Sequence, residues 1–420
     1  MRFRYALSTL TGPWISLVVL GLDGAVAASR GAEYLGEDVW TVRWMALGLW
    51  ILWPLVAAGA ATDAARATAA GNRHLALPPE VGSRDYLWRA AWTAGPAMAA
   101  HVIVVMGALV AGGVLQPREG WQPLLLALSA QAVTIMFATA LGSWIGRHVP
   151  VLLAGAVAGA AMLLAGGLLT NVRSGSPGFT FLGDTGASVT QVGVVWNPVH
   201  LWWQIALVGG ATALLVIQRP QVRSGLVAPS VRSVGAIAVV AAVGIASPAF
   251  VPGPPLIASD ARADECRYST VVVCYFPEHR EFVDATEASL SRLARAAKES
   301  GYDDLVPDSA VERSRRVDLA NGTTIRSFGP LGVDSDQVHD VDVILDILTP
   351  TWCNALSGSV PPPDAFWIEL EALAYTWASI AGVDEAELQQ RFFDVDEVLE
   401  PADVSAIIDA HSRCDLDGVR

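Results

Sequence analysis

The sequence predicts a membrane α-helical bundle followed by a folded α+β domain. Three observations carry that reading. The mean hydropathy of the 420-residue chain is +0.42, too apolar for an ordinary soluble protein of this length. Up to about Phe250 the chain contains repeated apolar windows of roughly 17–25 residues, the length of a bilayer span. Beyond Phe250 it turns acidic and holds all four cysteines, Cys266, Cys274, Cys353 and Cys414.

The apolar part reads as seven spans. They cover about Gly12 to Ala28, Trp44 to Thr62, Ala91 to Leu115, Trp121 to Gly146, Val149 to Thr170, Val199 to Gln218 and Val234 to Phe250. Residues 1–233 therefore form a six-span domain, 234–250 a seventh transmembrane helix, 251–264 a Pro/Gly-rich linker and 265–420 the last domain. Cytoplasmic loops collect basic residues. With the N-terminus inside, Arg2, Arg4, Arg66, Arg73, Arg84, Arg89, Arg147, Arg219, Arg223 and Arg232 are cytoplasmic, against Arg30, Arg43, Arg118 and Arg173 outside. An odd number of spans then places the C-terminal domain outside the cell membrane. The cysteines agree independently, because disulfides persist on the oxidising side.

The net charge of −14 is unevenly divided. Residues up to Phe250 carry 14 basic and 9 acidic groups, and the rest 13 and 32. The acidic part repels nucleic acid and is held off anionic lipid head groups. Lys298 is the only lysine, and no glycine precedes it in Arg-Ala-Ala-Lys-Glu-Ser. A P-loop needs its lysine to reach nucleotide phosphates, so this chain has none. Neither H-E-x-x-H nor Gly-x-Ser-x-Gly occurs. No catalytic residue, bound cofactor or metal ligand is expected, and the chain is not read as an enzyme.

In the C-terminal domain, Thr270–Phe276 is a buried-strand signal. Pro277 and Glu278 open a helix expected to run to about Ser300. Runs at Glu312–Leu319 and Thr323–Phe328 flank Asn321-Gly322, a hairpin signal. Asp342–Leu348 fits strand or helix. Asp364–Ala381 is a helix with Phe366, Trp367, Leu370, Leu373, Trp377 and Ile380 on one broad face. Helices from Asp384 and from Pro401 to Cys414 finish the chain. Four cysteines allow three connectivities. Cys266–Cys274, closing a short hairpin, and Cys353–Cys414, closing a long loop, are favoured, the latter worth roughly 4 kcal/mol on chain entropy.

Candidate functional residues fall in three places. His101 and Gln131 lie inside spans, where polar groups are costly and often functional; they are placed to line a path, to bond to each other, or to satisfy a neighbouring helix. Asp23 is placed at the interface, near the outer end of the first span. The long inside loop from Asp63 to Arg89 contains Glu80, Arg84, Asp85, Tyr86 and Trp88. Ser83 is positioned to cap a short helix there, with Asp85 in its first turn. Its Tyr86, Leu87 and Trp88 form an apolar side suited to a partner or to lipid head groups. Among C-terminal histidines, His279, His339 and His411 are the acid–base candidates, each expected to be a solvated polar residue.

Six helices with a basic loop between the second and third spans resemble ABC-2 type exporter permeases. Cys266, the run Val273-Cys-Tyr-Phe-Pro-Glu-His279, the helix around Trp377 and a last helix ending at Cys414 are similar to actinobacterial ABC-transporter-associated membrane proteins with a seventh span and an extracellular domain. The resemblance implies a permease subunit of an exporter, with ATP bound by a separate ATPase subunit working as a dimer, and a second permease copy or paralogue. It also implies that residues 63–89 hold the ATPase-coupling helix. The alternative is a membrane-anchored extracellular binding or sensing protein that does not transport.

Overall fold

A computed structural model describes residues 7, 9–29, 36–68, 79–117, 119–171, 191–217, 235, 238–239, 242, 253–258, 263–280, 282–312, 326–328, 339–350, 353, 363–392, 395 and 397–416. The chain divides into two compact units. One comprises Met1–Gly31, Glu37–Val189 and Val195–Ile257, and the other Ala32–Gly36, Thr190–Val194 and Ala258–Arg420.

The first unit is helical: α1 (Gly12–Ala28), α2 (Asp38–Thr68), α3 (Pro79–Ala111), α4 (Trp121–Gly146), α5 (Val151–Asn171) and α6 (Pro198–Ile217). Among the described residues, four stretches are long and apolar enough to cross a membrane: Asp38–Thr68, Leu87–Ala111, Trp121–Gly146 and Pro198–Val216. The apolar stretches Gly12–Ala28 and Val151–Gly166 are shorter. The expected seventh span lies outside the described residues, apart from isolated helical positions at 235, 238, 239 and 242.

Small residues set the packing. A Cβ on Gly142 would lie 2.1 Å from the Ala57 carbonyl oxygen, and one on Gly146 2.1 Å from that of Ala61. Glycines four apart on α4 thus face alanines four apart on α2, so the two backbones approach as small-residue helix pairs do in lipid. Across the same seam Trp53 Nε1 donates to Thr134 Oγ1 at 3.0 Å. Asp63, near the far end of α2, caps α1. Its carboxylate accepts from the Thr11 N–H at 2.8 Å, the Thr11 hydroxyl at 2.8 Å and the Gly12 N–H at 3.3 Å. A negative charge there satisfies orphan donors and complements the helix dipole.

Two expectations about this unit change. The segment 63–89 is not a loop with a separate Ser83-capped helix. α2 runs on to Thr68, and α3 begins at Pro79 and continues unbroken through the apolar stretch. Pro79 suits a first helical position. From Glu80 to Ala91 no glycine other than Gly82 and no proline interrupts the run, so nothing ends a helix before the span. The linker expected at 251–264 is partly a strand: β2 (Leu256–Ala258) pairs with β1 (Val194–Trp196).

The second unit is built on a four-stranded sheet ordered β3 (Glu265–Tyr268), β4 (Val272–Tyr275), β5 (Ser309–Glu312), β6 (Arg326–Phe328). β3 and β4 are antiparallel, with Cys266 opposite Cys274. β4 with β5, and β5 with β6, are parallel. Parallel neighbours need a crossover of about a dozen residues or more, so β5 and β6 are not joined by a two-residue turn; the runs of the expected hairpin lie outside the described residues except for Glu312 and 326–328. Asn321 and Gly322 themselves lie outside the described residues. After β4 the chain makes a 3₁₀ turn at Pro277–His279 before α7 (Val283–Glu299), instead of one continuous helix. The His279 carbonyl accepts the Phe282 N–H at 2.9 Å and closes that turn.

α8 (Asp340–Leu348), α9 (Asp364–Ile380), α10 (Glu385–Arg391) and α11 (Pro401–Ser412) complete the unit. The residues that form α8 alternate ambiguously, but Asp340 and Asp342 in its first turn favour a helix. Asp384 caps α10 by accepting from the Ala386 N–H at 3.0 Å. Phe366, Leu370, Leu373 and Trp377 of α9 are fully or nearly fully buried among residues of α7, α8 and β4. Trp377 Nε1 donates to the Leu293 carbonyl at 3.1 Å. Trp367, expected on that face, is 45% exposed; one residue on from Phe366 it is turned about 100° away. Arg292 of α7 holds Asp340 of α8, and this hydrogen bond keeps the guanidinium above its ordinary range.

Both favoured disulfides are present, Cys266–Cys274 within the β3–β4 pair and Cys353–Cys414 over a separation of 61 residues. Cys414 follows α11 at φ 59°, a left-handed conformation that a non-glycine residue adopts at a cost of about 1–3 kcal/mol. The Asp415 N–H reaches back to the Ala410 carbonyl at 3.0 Å, so the strained residue closes the helix end while its sulfur holds Cys353.

Candidate functional site

Three polar side chains from three helices meet inside the first unit. His101, on α3, places Nδ1 2.7 Å from Asp23 Oδ2 on α1. Its Nε2 lies 3.0 Å from Gln131 Oε1 on α4. Gln131 Nε2 donates in turn to the Val42 carbonyl on α2 at 3.1 Å. Four helices are thereby joined through one side-chain chain. Asp23 and His101 are 0% exposed and Gln131 is 9% exposed.

The site exists because each residue breaks an otherwise apolar helix. The remaining residues of α1 are apolar or small except Ser16, and α4 carries no ionisable group between Trp121 and Gly146. Burying a carboxyl and an imidazole without water is unfavourable unless each finds a hydrogen-bonded partner. Asp23 and His101 supply one another, and Gln131 takes the remaining ring nitrogen. The second carboxyl oxygen, Asp23 Oδ1, is buried with no hydrogen-bond partner among the described residues. It lies beside Gly48 of α2, where a Cβ would stand 2.5 Å away.

Of the expected site residues, His101 and Gln131 are brought together. Asp23 is corrected: it is not interfacial but fully buried as the partner of His101. Position along the span misled, since a residue near a helix end faces the bundle as readily as the head groups. A pairing signal was still readable, because a lone carboxylate in an apolar helix needs a cation or donor in another one. Glu80, Arg84, Asp85, Tyr86 and Trp88 sit on the opening turns of α3, with the Trp88 and Trp92 rings 6.0 Å apart. Trp88 is thirteen residues before His101, roughly 20 Å along the helix axis, so the two groups are separate features of one rod.

The second unit holds further histidine–carboxylate pairs. His279 Nδ1 hydrogen-bonds Glu312, and both side chains are 0% exposed. Glu312 Oε2 also accepts the Phe276 N–H at 2.9 Å. His411 Nε2 lies 3.7 Å from Glu369 Oε2, both buried. These two histidines are therefore core residues, contrary to the expected solvated placement: carboxylates from β5 and α9, distant in sequence, accompany them inside. His339 is half exposed and lies 3.6 Å from Glu387. No group of three His, Cys, Asp or Glu side chains among the described residues is arranged to hold a metal. On β3, Arg267 is held above its ordinary range chiefly by its hydrogen bond to Asp284, helped by Tyr275 and Glu287.

The chain matches no family model, no curated protein and no solved structure.

Proposed function

We propose that the chain is the transmembrane, permease-type subunit of a transport complex in the cell membrane, powered by a separate ATPase subunit. The observation that carries this is the buried Asp23–His101–Gln131 chain at the meeting of four helices. A bundle that only anchors a domain has no use for a buried carboxyl and imidazole, which lipid-facing helices avoid at considerable cost. A bundle that changes its packing during transport does. With no P-loop in the sequence, the energy source is another chain. The resemblance to exporter permeases points to an ATPase dimer and a second permease copy, with the opening turns of α3 as the contact.

In this reading the second unit lies outside the cell, where its two disulfides are stable. A binding or sensing role without transport is the other reading, favoured by that unit having a core of its own. Purification of the full chain from native membranes tests the choice. The transport reading expects an ATPase chain in stoichiometric amount, with capture weakened by Tyr86→Ala combined with Trp88→Ala. A chain that never retains an ATPase sinks it. A C-terminal epitope stained in intact cells places the second unit outside, and staining only after permeabilisation reverses the topology.

A further inference from the structure

We propose that Asp23, His101 and Gln131 form a proton-binding site within the bundle, loaded when α1 packs as seen here and emptied when α1 parts from α3. This needs the helices to span a membrane but does not depend on an ATPase partner.

The argument starts at Gln131. The Val42 carbonyl can only accept, so the group 3.1 Å from it must be the amide nitrogen. The amide oxygen therefore faces His101 Nε2, and Nε2 must carry a hydrogen. A neutral imidazole has one N–H. With that hydrogen committed to Gln131, the 2.7 Å contact between Nδ1 and Asp23 Oδ2 requires a second proton, on the ring or on the carboxyl. The pair thus holds two protons and no net charge. If the second proton leaves to water, a bare Nδ1 faces a carboxylate, and a net negative charge remains where both residues are fully buried. That arrangement repels, so proton loss and separation of α1 from α3 go together.

Among the described residues, the helices around the site offer the charge no other counter-ion. On α1, Asp23 is the only ionisable residue. α2 faces the site with the Val42 carbonyl and Gly48, and its Asp38, Arg43, Asp63 and Arg66 make no hydrogen bond or ion pair with Asp23 or His101. The ionisable residues of α3 other than His101, Glu80, Arg84, Asp85 and Arg89, lie in its opening turns, and α4 contributes only Gln131. Asp23 Oδ1, buried and unpartnered, leaves the carboxyl fastened through one oxygen alone.

The test uses the full chain in lipid nanodiscs with ¹⁵N-labelled histidine, His101 being assigned by the signals lost in His101→Gln. At pH 8 the expected result is hydrogen on Nε2 together with a far-downfield proton correlated with Nδ1. A ring carrying hydrogen on Nδ1 alone, with Nε2 bare, overturns the site. Coupling is read with spin labels on cysteines replacing Leu17 and Ile103, both exposed, since every native cysteine is in a disulfide. The separation should shift between acid and alkaline pH in the parent and stay fixed in Asp23→Asn. If Asp23→Asn does not fold, Gln131→Leu, which frees Nε2, should lose the downfield proton and the shift alike. No pH-dependent shift in the parent overturns the coupling.

Discussion

Each unit buries histidine against carboxylate, and two of these pairs, His279–Glu312 and His101–Asp23, are finished differently. In the C-terminal unit Glu312 uses one oxygen for His279 and the other for the Phe276 N–H. In the bundle Asp23 uses one oxygen for His101 and leaves the other unpartnered beside Gly48. A carboxylate held through both oxygens fixes β5 to the turn after β4. A carboxyl held through one can let go without breaking backbone hydrogen bonds. A histidine–carboxylate pair therefore fixes structure in one unit, and in the other it forms the proposed releasable proton site.

Mutations can break or sharpen that contrast. The largest effect is expected at the doubly held pair. His279→Ala leaves Glu312 buried without its ring partner and should lower the unfolding free energy by about 3–5 kcal/mol, measured by pulse proteolysis of the full chain in urea. Asp23→Asn keeps a hydrogen bond to His101 and should cost about 1 kcal/mol. Equal costs at the two sites erase the distinction. Next comes the Cys353–Cys414 disulfide: Cys353→Ser with Cys414→Ser should destabilise the C-terminal unit by about 4 kcal/mol on chain entropy. The same proteolysis should leave the bundle's midpoint in place, and a joint fall of both midpoints would merge the two units into one. Gly48→Ala, whose Cβ meets Asp23 Oδ1, should cost about 1–3 kcal/mol by overpacking, read as a lower thermal midpoint in detergent. As small an effect as that of Asp23→Asn belongs to Asp63→Ala, about 1 kcal/mol from the lost cap on α1, visible as faster hydrogen exchange at the Thr11 and Gly12 amides.

The apolar runs and the cysteine spacing made much of the architecture legible. Apolar length located α1, α4 and α6 nearly to their ends, and a helical stripe found Phe366, Leu370, Leu373 and Trp377. What stayed hidden depended on contacts far apart in sequence. The parallel pairing of Ala310 with Arg326 follows from sheet assembly, whereas Asn321-Gly322 suggested a local turn. The burial of His279 and His411 depended on Glu312 and Glu369, and no spacing rule links those residues. At the candidate site, His101 and Gln131 stood out because polar groups in apolar helices are few. Asp23 was misplaced because depth along a helix says nothing of the direction a side chain faces.

The cap on α1 acquires a mechanical meaning once its position is set beside that of Asp23. Asp63 fastens the first turn of the helix, and Asp23 lies eleven residues further on, about 16 Å along the axis. A rod hinged at one end and tied near the other is a lever. Tilting it by about 10° about the Asp63 anchor swings Asp23 by about 3 Å, a full hydrogen-bond length, while the hinge itself stays bonded.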